Sequence, residues 1–197
     1  MEMESLSGYV KEERFIDLYK ANIFALLLFI PIILLYVLPF YLIWGRNESP
    51  FVFIKNMLEI TSLSSALLGV LVVVIGVVVH ELIHGITWSC YIKNGFRSIK
   101  FGVLMKMLTP YCHCKEPLRV KQYIIGALMP SIILGIIPII YAWFSGNTNI
   151  LLFAIFFTAS AAGDFMIVQL IWREDMRSLV LDHPSEAGCF IYKKKDY

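Results

Sequence analysis

The stretch LLGVLVVVIGVVVHELIHG, residues 67–85, decides how the rest of the chain is read. From Leu67 to Val79 it contains nothing more polar than Gly69 and Gly76. Valine-rich runs also suit a buried strand, but strands run to about 5–6 residues, and this apolar stretch continues from about Thr61 to Cys90. Length selects a helix. A hydrocarbon core of about 30 Å takes roughly 20 helical residues to cross, so this helix is long enough to be a membrane span. Two histidines and a glutamate follow it without interruption.

The rest of the chain agrees with a bilayer as solvent. Of its 197 residues 58% are hydrophobic and 16% charged, and the mean hydropathy is +0.72. A soluble domain carries about a quarter charged residues. Three more apolar stretches read as spans: Ala21 to Trp44, with Pro31 and Pro39; Val120 to Phe144, interrupted by Pro130 and Pro138; and Ile150 to Trp172. Proline is tolerated in such helices where neighbours satisfy the freed carbonyls. Residues 1–20 read as a short interfacial helix, 45–60 as a polar loop, 145–149 as a tight turn and 173–197 as a charged cytoplasmic tail. The acidic start offers no basic region leading into a short apolar run, so no cleavable signal is expected.

Between the second and third spans, the Asn94-Gly95 turn signal and two short runs, Ile99–Met105 and Leu108–Cys114, suggest a hairpin. The expected fold is therefore an all-α membrane protein, a single domain over 1–197. It is a four-span helical bundle with a small membrane-associated β-hairpin between spans two and three. Lys and Arg number three before the first span, two in the next loop, seven between spans two and three when Lys121 at the start of span three is included, none in the turn and five in the tail. That alternation favours both termini in the cytoplasm. The basic residues flank apolar runs and form no soluble patch, which argues against nucleic acid as a partner. The four cysteines, Cys90, Cys112, Cys114 and Cys189, are too few and too irregular for a disulfide framework.

The candidate chemistry lies in His80-Glu81-Leu82-Ile83-His84. Residues four apart on a helix share a face, so both imidazoles can reach one Zn²⁺ at about 2.0–2.1 Å per nitrogen. Glu81 stands beside them without being a ligand. It can take a proton from a metal-bound water whose pKa the metal lowers towards about 7. The bland alternative is a polar cluster that only fixes helix packing. Burying such groups near a span's end costs several kcal/mol unless they are paired or hold a metal.

A catalytic zinc takes three protein ligands and keeps one position open. Asp164 is the only ionisable residue within the fourth apolar stretch. Counting about 1.5 Å per residue puts it at a depth similar to His80 and His84, roughly 10–15 Å below the cytoplasmic face. It reads as the third ligand, with a hydrogen-bonding role elsewhere in the bundle as the alternative. The small residues Ala159 to Gly163 would let that helix approach a neighbour. Cys112-His113-Cys114 lacks a second pair at zinc-site spacing, and neighbouring strand residues point to opposite faces. His183, in a Asp-His-Pro sequence, reads as a turn. Glu174 and Asp175 read as solvent-facing, Lys193–Lys195 as a solvated tail, and the aromatic residues near Trp44 and Trp143 as interfacial belts.

HELIHG in a span, YCHCKEPL in the following loop, Gly163-Asp164 in the last span and the closing LDHPSEAG together resemble a family of zincin peptidases, bacterial membrane domains of formerly unknown function. More distantly the layout is similar to the site-2 proteases, although Gly163-Asp164 reverses the order of their later motif. The resemblance implies His80, His84 and Asp164 as zinc ligands and Glu81 as general base. It implies a membrane protein or peptide as substrate and a lipid bilayer as surroundings. A hairpin next to such a site could receive an unwound substrate as an added strand. A non-proteolytic metal-binding protein (transporter, sensor or pseudoenzyme adaptor) is the alternative reading, although a carrier would show more spans and repeated topology.

Overall fold

The computed structural model describes residues 8–60, 62–104, 109–184 and 186–194. Thr61, Met105 and Leu108, the expected ends of the second span and of the two hairpin strands, lie outside the described residues. Three helical stretches are long and apolar enough to cross a membrane: Tyr19–Gly45, Leu63–Ser89 and Val120–Ser145. A fourth exists if α7 (Thr148–Ser160) and α8 (Ala162–Ile171), which break at Ala161, are counted as one span.

The prolines act where expected. The first span runs as α1 (Leu18–Ile32), a π-helical turn (Ile33–Val37), α2 (Leu38–Phe40) and a second π turn (Tyr41–Gly45), with Pro39 between the two turns. Proline lacks an N–H and crowds the preceding turn, and a widened turn accommodates both defects. The third span repeats the device. It comprises α5 (Val120–Pro130), a π turn (Ser131–Ile136) and α6 (Ile137–Ser145), with Pro130 and Pro138 at the junctions. Residues 45–60 are not simply a loop. Ser49 accepts a hydrogen bond from the Val52 N–H and Pro50 occupies the first turn, so a short helix, α3 (Pro50–Leu58), forms there.

The chain divides into two compact units. One contains Asn22–His80 and Pro130–Ala162. Its core joins Ile32, Tyr36 and Phe40 of the first span to Ile139, Ala142, Leu151 and Ala154. The Tyr36 and Thr158 hydroxyls lie 3.1 Å apart in the buried interior, each answering the other's need for a partner. Gly146, at a φ of 69°, ends α6, and the Asn147 side chain accepts from the Asn149 and Ile150 N–H groups to start α7. Leu26, Leu67, Leu68 and Val70 are exposed, which is compatible with helix faces that meet lipid.

The other unit contains the chain before Asn22, Glu81–Met129 and the chain from Gly163 onward, and it corrects the all-α expectation. Residues Tyr9–Phe15 form a strand, β1, where an interfacial helix was expected. The presumed tail supplies β5 (Leu179–Asp182) and β6 (Gly188–Lys194). With β4 (Leu118–Arg119) they make an antiparallel sheet in the order β1-β6-β5-β4, Tyr9 standing opposite Lys194 and Phe15 opposite Gly188. The inner face carries Leu118, Val180, Cys189 and Ile191, all essentially inaccessible, packed with Trp88, Tyr123, Ile167 and Ile171.

Charge hid these strands. In YVKEERF and IYKK the polar residues read as solvated, yet they pair across the sheet. Lys193 binds both Glu12 and Glu174 at 2.9–3.0 Å, and Arg14 reaches Glu174 at 3.3 Å. Glu174 is therefore largely covered rather than solvent-facing, whereas Asp175 is exposed.

The hairpin is present. β2 (Ile99–Leu104) and β3 (Thr109–Cys114) pair antiparallel, with Phe101 opposite Cys112. It is tied to α4 (Leu63–Ser89) by a carboxylate that sequence inspection did not single out. Glu116 accepts from the Lys93 N–H at 3.1 Å, the Asn94 N–H at 3.2 Å, the Asn94 side-chain amide at 2.9 Å and the Ser98 hydroxyl. Gly95, at a φ of 56°, makes the turn it braces. Burial alone would raise the Glu116 pKa, but these donors outweigh it and hold it below the ordinary value. A carboxyl held low when folded contributes stability above the unfolded glutamate pKa of about 4.3, and that contribution fades as the pH falls through the folded value. Glu116→Ala should lower the unfolding midpoint in detergent at pH 7 by the equivalent of about 1–3 kcal/mol, and by progressively less towards pH 3. A melting series across pH measures it.

Candidate metal centre

His80 and His84 sit one turn apart on α4 and are both buried. Helix geometry alone puts them on one side. The second imidazole is oriented by its surroundings. His84 Nδ1 lies 2.9 Å from the Gly126 carbonyl, so this nitrogen carries the proton and donates it, and Nε2 is left for another partner. That partner is Asp164, whose Oδ1 lies 3.2 Å from Nε2. Asp164 stands in the first turn of α8, where unsatisfied N–H groups favour a negative side chain.

His80 keeps its place because α4 runs unbroken through both histidines. Ligand atoms of His80, His84 and Asp164 fall within 4.8 Å of one another, and this is the one such group among the described residues. Two neutral nitrogens and a carboxylate suit Zn²⁺, and the proton on His84 Nδ1 points away from the cluster, so the donor set fits that ion. The three expected ligands are brought together.

Several residues that the sequence reading passed over hold His84 in place. Trp88 stacks on its ring at 5.1 Å and 17°, and the indole N–H donates to the Tyr123 carbonyl at 3.2 Å. Gly126 makes this possible, because a Cβ there would stand 2.0 Å from the Trp88 indole nitrogen. Gly85 does the same for the hairpin: a Cβ would approach the Phe101 ring to 2.7 Å. Neither glycine was read from the sequence as a point of close approach. Gly163 differs. A Cβ there would meet nothing within 4 Å, so close helix approach does not explain it.

Glu81, His84 and Asp164 open onto a cavity of about 260 Å³, whose lining also includes Cys112, His113 and Asp182. Cys112-His113-Cys114 does not form a ligand cluster. Cys114 is buried and donates its S–H to the Glu116 carbonyl at 3.3 Å, and burial pushes its thiol up to about 12. Burial raises the Cys112 thiol as well. His183 lies at the cavity rim as the turn residue it was read to be, with Nδ1 accepting from the Glu186 N–H at 2.9 Å.

Asp182 was missed. It ends the apolar run Leu179-Val180-Leu181, which is the signal that could have marked it. Its carboxylate accepts from the Tyr123 hydroxyl and, at 2.7 Å, from the Cys114 backbone N–H, with His113 Nδ1 at 3.9 Å. Burial raises its pKa against those bonds.

A helix-borne His-Glu-x-x-His pair with a carboxylate from a separate helix, on a cavity lined by both apolar and polar side chains, is the type of site a metallopeptidase uses. The family model described as putative zincin peptidase matches residues 73–179, more than half of the chain and a span that includes all four site residues. The chain belongs to that family. No curated protein and no solved structure matches it.

The Gly126 contact gives a test of the centre that does not depend on any reaction. Gly126→Val should displace Trp88 and tilt His84, lowering zinc affinity roughly 10–100-fold, the range typical for loss of a group that orients a ligand. Competition of the purified protein against a fluorescent zinc chelator reads it directly.

Proposed function

We propose that this protein is a zinc-dependent endopeptidase that cleaves peptide segments in or at the membrane. The observation that carries the reading is the approach of His84 Nε2 to Asp164 Oδ1, with Glu81 on the same cavity. His80, His84 and Asp164 would hold the ion. When bound, zinc supplies a water of lowered pKa and polarises the carbonyl under attack.

The chain's own residues handle the proton. Glu81 accepts it as the water oxygen bonds to the scissile carbonyl carbon, and returns it to the departing amine nitrogen as the C–N bond breaks. Water is the only co-reactant. Gly126 and Trp88 keep His84 in the tautomer that leaves Nε2 for the metal. In this reading α7 and α8 complete a fourth span, both termini face the cytoplasm and the cavity draws its water from that side.

Substrate must arrive extended, because a helix hides its carbonyls in internal hydrogen bonds. The edge of β3 is the surface that suits an extended chain, since Pro110, Cys112 and His113 line the cavity with Glu81. Added-strand recognition would draw affinity from backbone hydrogen bonds there.

Glu81→Gln should retain zinc and reduce hydrolysis of unfolded β-casein by about 10²–10⁴-fold, the usual weight of a general base. His80→Ala and Asp164→Ala should lose zinc and activity together. Metal analysis beside a fragment assay separates these outcomes, and a Glu81→Gln protein that still cuts at the original rate would end the peptidase reading. Cys112→Pro removes one N–H at a position that stands opposite Phe101 of β2 without a backbone hydrogen bond to it. Its expected effect is a higher KM with zinc content unchanged.

A further inference from the structure

The hydrogen-bonding phase of β3 shows which backbone groups point outward. The Lys115 N–H donates to the Ser98 carbonyl at 2.9 Å. In an antiparallel pair the bonded positions alternate, so Lys100–His113 and Gly102–Tyr111 are bonded pairs, while Ile99–Cys114, Phe101–Cys112 and Val103–Pro110 are not. The outward-facing residues of β3 are therefore Pro110, Cys112 and Cys114.

Their donors are not equivalent. Pro110 has no N–H, which fits an outward edge position. The Cys114 N–H is spent on Asp182 Oδ2 at 2.7 Å. Among the described residues of that edge, Cys112 alone presents an uncommitted N–H. Asp182 cannot easily leave, because Tyr123 binds its other oxygen and β5 is paired to β6 through Asp182 opposite Cys189. A carboxylate acting on another strand's backbone in this way blocks that position to any further strand.

We propose that Asp182 and Pro110 bracket the β3 edge, leaving a dock one donor wide, and thereby fix which peptide bond of an extended substrate is presented to Glu81. Asp182 is a positioning residue that selects the scissile bond. This rests on the peptidase reading above. A slip of one residue would turn every substrate side chain to the opposite face, so the neighbouring allowed registers lie two residues away and need a donor at position 114 or 110.

The test maps the fragment ends produced from unfolded β-casein by the zinc-loaded, full-length protein, using mass spectrometry. Asp182→Ala frees the Cys114 N–H and should add ends displaced by two residues from the original cuts, with zinc content unchanged. Asp182→Asn retains an acceptor for that N–H and should restore the original ends alone. Pro110→Ala leaves the buried Asp182 contacts untouched and creates a donor at the opposite limit. It should add ends displaced by two residues in the other direction, and it keeps the proposal falsifiable if Asp182→Ala does not fold. Original ends alone from Pro110→Ala, or from a folded Asp182→Ala, at whatever rate, would overturn the bracket while leaving the peptidase reading intact. Wild-type protein that binds zinc and leaves casein whole would overturn the peptidase reading and the bracket with it.

Discussion

Burying imidazoles and a carboxylate among apolar helices is tolerable only if each polar atom is given a partner, and this constraint shapes everything around His84. Its Nδ1 is committed to the Gly126 carbonyl, which leaves Nε2 to face Asp164. The proton's position is thereby fixed by a backbone group that no side-chain substitution elsewhere can remove. Trp88 covers the ring, and its own N–H is in turn satisfied by the Tyr123 carbonyl. A chain of obligations passes from the His84 ring to α5, and a glycine at 126 is what allows the two helices to meet closely enough.

The same logic explains why a protein so apolar carries a charged sheet. The strands β1 and β6 bring Glu12, Arg14 and Lys193 together with Glu174, from the segment after α8, in one paired cluster, so residues that would be costly near a bilayer neutralise one another. Further along the same face of the sheet, Val180, Cys189 and Ile191 form a core with Trp88 and Tyr123, the residues that hold His84 and Asp182. The sheet is thus part of the site's support. Glu116 adds a local brace, holding the turn after α4 so that β2 and β3 begin at a fixed place relative to His84.

Asp182 links the two functions of that support. It fastens β5 to β3 through the Cys114 N–H and to α5 through the Tyr123 hydroxyl. Being on the cavity wall, it brings a buried acidic group to face Glu81 and Asp164 without joining the ligand set. Three carboxylates thus share one cavity in different environments: Asp164 against His84, Glu81 half-buried on α4, and Asp182 tied down by backbone and phenol.

What the sequence determined by itself is the part governed by spacing and solvent preference. The apolar length of residues 67–79 demands a helix, and the interval from His80 to His84 then puts two imidazoles on one face whatever the rest of the chain does. The membrane-scale hydropathy, the proline positions, the SGNTN turn and the hairpin after Asn94-Gly95 are local in the same sense. Asp164 was legible as an isolated charge in an apolar run, but only tertiary structure could set its oxygen against His84 Nε2, since the two positions are 80 residues apart. The four-stranded sheet was hidden because its strands pair residues 9–15 with 188–194, and alternating charges look solvated until their partners are known. The contacts of Gly126 and Asp182 were illegible for the same physical reason. A backbone carbonyl's donor, or a carboxylate's choice of N–H, depends on which distant elements the core packs together, and no periodicity along the chain encodes it.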